Sequence, residues 1–242
     1  MHMKFSNPTH TLTALVFASA ALPLAASADT LDLVASADGF IRDGFTVDNV
    51  QDAQEANLFL VGNTDGTDEL RAFLQFDLSN PLLTGATINS VTLTFTVDGG
   101  DTNSVEEIDT LQLYQTNTAF TEGGAQWDTP WTTPGGDLDS LLATADANAG
   151  TVAASDTVGF TSETMDTAIA NTIGGSIGLI LKVDSIDAAR TIFRFTSRTP
   201  IESPSTYVPT LSIDYTAVPE PSAFALLAGF AGLSLAVVRR RK

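Results

Sequence analysis

The chain has 242 residues, a formal net charge of −18 at pH 7 and no cysteine, and its two histidines, His2 and His10, lie in the first ten residues. If that segment is removed, neither residue type remains. This excludes disulfides, cysteine nucleophiles, serine–histidine–aspartate triads and zinc sites built from histidine or cysteine.

The negative charge is concentrated in the middle of the chain. Residues 29–218 hold 28 of the 29 acidic residues and 6 of the 11 basic residues, a net charge of −22. Phosphate backbones and anionic lipid surfaces would repel such a body. The charge therefore predicts no nucleic acid partner and indicates a solvated surface that keeps an exported protein soluble.

The N-terminus has the three parts of a secretory signal peptide. Lys4 supplies the positive start, residues 12–24 form a short apolar stretch, and Ala26 and Ala28 define a small-residue cleavage site. The apolar stretch is too short for the alternative, an N-terminal membrane-spanning helix. We expect residues 1–28 to be removed and the mature chain to begin near Asp29.

Between residues 29 and 217 the dominant pattern is the alternation of a half-buried antiparallel strand. In SVTLTFTV, residues 90–97, valine, leucine and phenylalanine alternate with threonine. Turns rich in glycine, asparagine and aspartate separate such runs. The pattern predicts an all-β chain, a single antiparallel β-sandwich or jelly roll. The other predicted strands are 57–62, 71–78, 110–116, 176–183, 191–197 and 210–215, with one or two more in 31–43.

One stretch departs from the strand pattern. Met165 and Ile169 lie four residues apart, with Ser162 as an N-cap and Gly174 as a C-terminal stop. This predicts one short helix packed on the sandwich. The small and polar residues 141–157 predict a surface loop that leads into a strand.

The two tryptophans, Trp127 and Trp131, both lie in GGAQWDTPWTTPGGD. A tryptophan ring offers a large flat face and one hydrogen-bond donor. Two interpretations are open: the rings and the neighbouring Asp128 bind sugars, or the rings pack against the sandwich and hold a glycine-rich loop. Tyr114 and Tyr207 carry the same two interpretations.

Pairs of acidic residues in turns are candidate metal ligands, because calcium prefers oxygen atoms. None of them matches the spacing of an EF-hand loop. The alternative is that each aspartate caps its own turn. A structural calcium ion is thus left open, with candidate ligands Asp65, Asp68, Asp98 and Asp101.

The few basic residues of the body suggest either ion pairs or an anion site. Arg42, Arg71, Arg194 and Arg198 pair with carboxylates, or they cluster to hold uronate or sulfate groups. With 28 acidic residues, some carboxylate pair reaches the separation found in glycosidases by chance. The sequence therefore predicts no catalytic residues and a protein that is not an enzyme.

The C-terminus combines a proline-bearing motif, an apolar stretch and a basic end. Residues 222–238 carry no charge, at the lower limit for a membrane-spanning helix, and four basic residues follow at 239–242. The C-terminus resembles the PEP-CTERM sorting signal of Gram-negative bacteria, in which a motif such as Val218-Pro219-Glu220-Pro221 is followed by an apolar stretch and then by arginines. The resemblance implies recognition of Pro219, Glu220 and Pro221 by an exosortase, a membrane-embedded protease, after transient anchoring in the inner membrane by this C-terminal transmembrane helix.

The body is similar to DNRLRE domains, which are relatives of disaggregatase-type, carbohydrate-binding-module-like β-sandwiches. The resemblance implies a secreted or cell-surface module in residues 29–217, some of whose relatives bind acidic polysaccharides. Phe120 stands where this family leads us to expect a tryptophan. The similarity is carried by the order of ADGFIRDG, RAFLQFDLS, GATINSVTLTF, TEGGAQWDTPW, PGGD, GLILK and FTSR…YVPTLSIDY.

These observations together predict an exported, non-catalytic protein of the cell surface or biofilm matrix that binds or organises extracellular polysaccharide. One alternative is a structural surface or matrix protein whose contacts are with protein only. Another is a carboxylate-based enzyme that degrades polysaccharide.

Overall fold

The computed structural model describes residues 27–43, 51–52, 58–64, 68–102, 109–184, 190–198, 207–218, 229–230 and 239. By its internal contacts the chain divides into a unit of residues 26–218 and a second unit made of residues 1–25 and 219–242. All the strands of the described residues belong to the first unit.

The elements of the first unit follow one another mostly as strands, as their alternating residues predict. They are β1 Ala28–Val34, β2 Ala37–Arg42, β3 Gln51–Asp52, β4 Leu58–Asn63, β5 Glu69–Asp77, β6 Thr87–Thr102, β7 Asp109–Thr116, β8 Ser140–Ala147, β9 Thr157–Phe160, α1 Glu163–Thr172, β10 Ser176–Val183, β11 Thr191–Thr196 and β12 Thr210–Thr216. Two short 3-10 turns, Pro81–Leu83 and Glu122–Gly124, lie between strands.

The strands pair antiparallel throughout the described residues and form two connected sheets. The first sheet has the order β1-β12-β6-β9, and the second has the order β6-β11-β4-β5-β10-β7-β8, with β2 paired to β5 and β3 paired to β2. The long strand β6 belongs to both sheets: its first part pairs with β12 and its last part with β11, with a bulge at Asp98. The all-β, antiparallel prediction is confirmed, and the arrangement is sandwich-like.

The main apolar core is formed by the inward-facing residues of both sheets, as the period-two pattern requires. Val91, Leu93 and Phe95 of β6 are fully buried, as the sequence predicts for one face of this strand. Around Phe95 the rings of Phe59 and Phe195 lie at centroid distances of 5.7 and 5.3 Å. Aromatic rings at such distances add to the stabilisation that burial of their area supplies.

A second, smaller apolar cluster covers the outer face of the second sheet. Phe73 of β5 points away from the main core because its neighbours Ala72 and Leu74 point toward it. With Ile180 of β10, Phe73 is covered by residues of the long loop 117–139, which we call the β7–β8 loop. Both faces of the second sheet are therefore buried over part of their area.

The helix α1 begins and ends as the sequence predicts. Ser162 is its N-cap, with the side-chain oxygen accepting a hydrogen bond from the Met165 N–H at 3.0 Å. Met165 and Ile169 face the main core. Asp166 Oδ1 accepts a hydrogen bond from the Val91 N–H at 2.7 Å, which fixes the helix to β6.

We expect Ser162→Ala to lower the free energy of unfolding by about 1 kcal/mol, because one N-terminal amide of α1 loses its acceptor. The Ser162 hydroxyl also donates to the Leu142 carbonyl, so the substitution removes a second bond. Urea denaturation followed by circular dichroism measures the change. Thr164→Ala in the same turn, at an exposed position, is the control. Equal stability of the two variants would contradict the capping role.

Two strands are not apparent from the sequence pattern. The prediction of a loop over residues 141–157 is wrong for its first part, because β8 spans Ser140–Ala147 and pairs with β7. This strand lies at the edge of its sheet, and its alanines give a weak apolar signal. Pairing with β7 therefore outweighs its low strand propensity. The two-residue strand β3 was also missed.

Several predicted features lie outside the described residues. These are the signal peptide as far as Ala26, the sorting motif Pro219–Pro221 and nearly all of the C-terminal transmembrane helix. Within the part of the chain that the structure describes, no helix combines the length and the apolar composition needed to cross a membrane.

Candidate functional site

The β7–β8 loop is closed by one buried carboxylate, that of Asp137. Its Oδ1 accepts hydrogen bonds from the Thr132 hydroxyl at 2.6 Å and the Thr133 N–H at 2.9 Å, and its Oδ2 accepts one from the Thr118 hydroxyl. Burial acts to raise the pKa of Asp137, but the hydrogen bonds from Thr118 and Thr132 outweigh it and hold the pKa far below its usual range. The loop is thus tied at both ends to one ionised group.

Trp131 is a packing residue of this loop. Its side chain is 6% exposed, and its Nε1 donates to the Gln126 carbonyl at 2.7 Å. Its ring lies 5.5 Å from that of Phe120, which in turn contacts Phe73 edge-on at 5.2 Å. The structure therefore favours the packing interpretation of Trp131, because its ring offers no open face to a sugar.

Phe120 belongs to the same apolar cluster and is 9% exposed. A phenylalanine in place of the tryptophan that the DNRLRE resemblance leads us to expect is thus accommodated as a core residue.

Trp127 lies at the edge of the cluster and is half-buried. The Arg71 guanidinium lies over its ring, 5.0 Å from the centroid, a cation–π contact. Asp128 follows in the turn that the Gln126–Thr129 bridge closes, and it is exposed. Of the three predicted ligand-binding residues, Trp127 and Asp128 are therefore the two at the surface.

Two glycines let this loop approach the sheet closely. Gly135 and Gly136 have φ angles of +85° and +102°, which other residues rarely adopt. A Cβ atom on Gly136 would lie 2.3 Å from Ile180 Cδ1. Glycine at these positions is what allows the loop backbone to lie against β10.

An ion-pair network beneath Trp127 fastens the loop to the second sheet. Arg71 Nη2 pairs with Glu69 Oε2 at 2.5 Å, and Arg71 Nη1 donates to the Gly135 carbonyl at 2.8 Å. Lys182 Nζ lies 3.5 Å from Glu69 Oε1. Burial lowers the pKa of Lys182, although the Glu69 carboxylate opposes this effect. Arg71 is therefore engaged within the protein rather than presented to a ligand.

A second buried network joins β2 to the end of β11. Asp38 is 0% exposed and its Oδ2 accepts from the Arg198 N–H at 2.7 Å, while its Oδ1 accepts from the Ser197 hydroxyl at 3.2 Å. The Arg198 guanidinium lies between Asp38, at 3.7 Å, and Glu122, to which it donates. Burial raises the pKa of Asp38 to about 6, against the lowering effect of the Arg198 N–H.

The other arginines and the acidic turn residues are placed as follows. Arg42 pairs with Asp68 at 2.6 Å, as Arg71 pairs with Glu69 and Arg198 with Glu122. Arg194 lies in β11. Asp98 is exposed at the bulge of β6, whereas Asp65 and the side chain of Asp101 lie outside the described residues.

The described residues contain no group of three or more acidic or histidine side chains arranged to share a metal ion. The structural calcium ion stays a prediction.

The two tyrosines named above are half-buried. Tyr114 lies on β7, and its hydroxyl donates to Gln112 Oε1 at 3.2 Å. Tyr207 precedes β12.

A polar groove beside the β7–β8 loop was not predicted from the sequence. It consists of two depressions of about 350 and 480 Å³, both of which are lined by Gln115. No sequence motif signals it, because its residues come from five separate stretches of the chain. The polar residues that line the first are Gln75, Gln115, Thr116, Asn117, Thr118, Thr172 and Ser176, and those of the second are Gln115, Ser140, Glu163, Thr164, Thr167 and Asn171.

In comparisons with known proteins, neither a family model nor a curated protein matches this chain.

Proposed function

We propose that this chain is an exported, non-catalytic protein that binds or organises extracellular polysaccharide. The observation that carries this proposal is the β7–β8 loop, which is fixed to the second sheet by Asp137, Trp131 and the Glu69–Arg71 pair. This rigid loop presents the half-buried ring of Trp127 and the exposed carboxylate of Asp128. A flat apolar ring next to a hydrogen-bonding group suits the alternating CH and OH faces of a sugar.

The proposed cellular setting follows from the two ends of the chain. We propose that the signal peptide directs export and that an exosortase recognises Pro219, Glu220 and Pro221 after brief anchoring in the inner membrane. The protein would then reach the cell surface or extracellular matrix of a Gram-negative bacterium. The sandwich-like fold suits the finer proposal that residues 29–217 form a module of the DNRLRE type.

Affinity gel electrophoresis of the full chain, held in a detergent without a sugar headgroup, tests polysaccharide binding. Retardation in gels that contain polysaccharide supports the proposal. No retardation in any glycan contradicts it and favours the structural alternative with protein contacts only. Soluble oligosaccharides that accumulate with time would instead indicate the degrading enzyme.

We expect Trp127→Ala to weaken this binding about 10- to 30-fold, because a tryptophan at the centre of a binding surface commonly contributes about 1.5–2 kcal/mol or more. Trp127→Phe keeps an aromatic face and should retain part of the affinity. Leu82→Ala, which removes another apolar side chain that is 56% exposed, is the control. Unchanged binding by a folded Trp127→Ala variant would remove Trp127 from the site.

A further inference from the structure

We infer that the polar groove beside the β7–β8 loop is the subsite that holds the polysaccharide chain, and that this chain is neutral. The inference rests on the proposed function and adds to it the place and the chemical class of the ligand. The groove is distinct from the position of Trp127, since its residues come from the start of the loop, the ends of β5 and β7, the start of β8 and of β10, and α1.

The groove is lined by groups that match sugar hydroxyls. Carboxamides and hydroxyls both donate and accept hydrogen bonds, as sugar hydroxyls do. No residue that lines the first depression is charged, and Glu163 is the charged residue of the second. The first depression thus offers uncharged polar groups in a unit whose net charge is −22.

The two glutamine carboxamides of the groove are available to a ligand, whereas the hydroxyls of Thr118, Thr167 and Thr172 already donate hydrogen bonds within the protein. The Gln75 carboxamide forms no hydrogen bond within the described part of the chain, although its backbone carbonyl accepts one from the Ser36 N–H. The Gln115 carboxamide has one long contact, from Nε2 to Asn117 Oδ1 at 3.4 Å. A ligand can therefore bind these amides without breaking strong bonds within the protein.

The floor of the first depression is apolar. It is formed by Ile177, Gly178 and the edge of Phe120. A Cβ atom on Gly178 would lie 3.0 Å from the Thr116 carbonyl oxygen and 3.2 Å from Phe120 Cε1. Because Gly178 has no side chain, the depression stays open above it and the ring of Phe120 packs close to its backbone. Such a floor suits the CH groups of a sugar ring.

An acidic glycan is disfavoured by the charges around the groove. Among the described residues, neither depression is lined by a cation, and Arg71, Lys182 and Arg198 are mostly buried in ion pairs. A uronate or sulfate would lose its hydration without gaining a cation, in the repulsive field of an acidic protein.

The dimensions suit an extended ligand. Each depression lies in the range of about 300–1,000 Å³ that is usual for small-molecule sites. Because Gln115 lines both depressions, we place an extended polysaccharide chain across this residue. This distinguishes the groove from a site for a single sugar.

The experiment measures retardation of the full chain in gels with neutral polysaccharides (dextran, amylopectin, galactomannan and hydroxyethylcellulose) and acidic ones (alginate, polygalacturonate and dextran sulfate). We expect retardation by at least one neutral polysaccharide and by none of the acidic ones. Gln75→Ala and Gln115→Ala should each weaken it about 3- to 10-fold, the effect of losing one or two hydrogen bonds.

Gln112→Ala is the matched control, because it changes the same residue type in the same strand at a place outside the groove. Circular dichroism checks the fold of each variant. If Gln115→Ala is misfolded, Asn117→Ala serves in its place, since Asn117 is exposed and lies at the groove.

Retardation by acidic polysaccharides alone would overturn the inference. So would groove variants that bind a neutral polysaccharide as tightly as Gln112→Ala; in that case loss of binding by Trp127→Ala would still support the proposed function. A chain that binds no polysaccharide at all would overturn both.

Discussion

Replacing Trp131 by alanine is expected to lower the free energy of unfolding by about 3–5 kcal/mol, the usual cost of removing a buried aromatic side chain. The ring contacts Phe120 and belongs to the cluster with Phe73 and Ile180, and its Nε1 donates to the Gln126 carbonyl. Alanine would leave a cavity and an unpaired carbonyl between the β7–β8 loop and the second sheet. Urea denaturation followed by circular dichroism measures the loss.

The second tryptophan provides the matched control for this prediction. Trp127 lies four residues earlier in the same loop but is half-buried, so Trp127→Ala is expected to cost markedly less stability. Two variants of equal stability would show that the cluster of Trp131 does not hold the loop. Polysaccharide binding should also weaken in Trp131→Ala, because the loop that presents Trp127 is no longer fixed.

Replacing Asp38 by asparagine is expected to change the dependence of stability on pH. The folded-state pKa of Asp38, about 6, lies above its ordinary value near 4, because burial disfavours the charged form. Between pH 4 and pH 6 the folded state binds more protons at Asp38 than the unfolded state does. The contribution of Asp38 to the free energy of unfolding is therefore fully present below pH 4 and is lost as the pH rises through 6. Titration of Asp38 should therefore lower the free energy of unfolding of the wild type by about 2–3 kcal/mol between pH 4 and pH 7.

The Asp38→Asn variant lacks this titration, so its stability relative to the wild type should rise by about 2–3 kcal/mol between pH 4 and pH 7. Denaturation in urea at each pH unit gives the difference. Asp137→Asn provides a comparison with the opposite pH dependence, because the pKa of Asp137 is lowered in the folded state. The contribution of Asp137 to the free energy of unfolding is present above pH 4 and is lost in more acidic solution. A difference between wild type and Asp38→Asn that is constant from pH 4 to pH 7 would contradict the raised pKa.

The two buried networks also show what three of the few basic residues in this acidic body do. Arg71 and Lys182 neutralise Glu69, and Arg198 lies between Asp38 and Glu122. Loss of one partner would leave a buried charge uncompensated, which is costly. These cations thus attach loops to the second sheet. Arg71 and Arg198 are engaged in internal ion pairs and are not presented to an anionic ligand.

Much of the fold was predictable because its signals are local. The alternation in residues 90–97 determines which side chains of β6 face the core, since successive side chains of a strand point to opposite faces. Ser162 and Gly174 bound the helix because they meet its end requirements within a few residues. The exclusion of cysteine chemistry likewise needs only composition.

Other features depend on residues that are distant in the chain. Trp127 and Trp131 lie in the same loop and have similar neighbours in sequence, yet only Trp131 fills the space above Phe73 and Ile180. Asp38 and Arg198 are 160 positions apart. The groove combines short stretches between Gln75 and Gly178, which are strand ends, part of a loop and one face of α1.

The sequence by itself predicted antiparallel strands and one short helix for residues 29–217, which the described residues confirm. Export, predicted from the signals at the two ends of the chain, stays a prediction. Only the tertiary structure decided which tryptophan is buried, which carboxylates Arg42, Arg71 and Arg198 pair with, and where a polar groove opens. The physical reason is that strand and helix patterns are set by neighbours along the chain, whereas burial and pairing are set by contacts across two packed sheets.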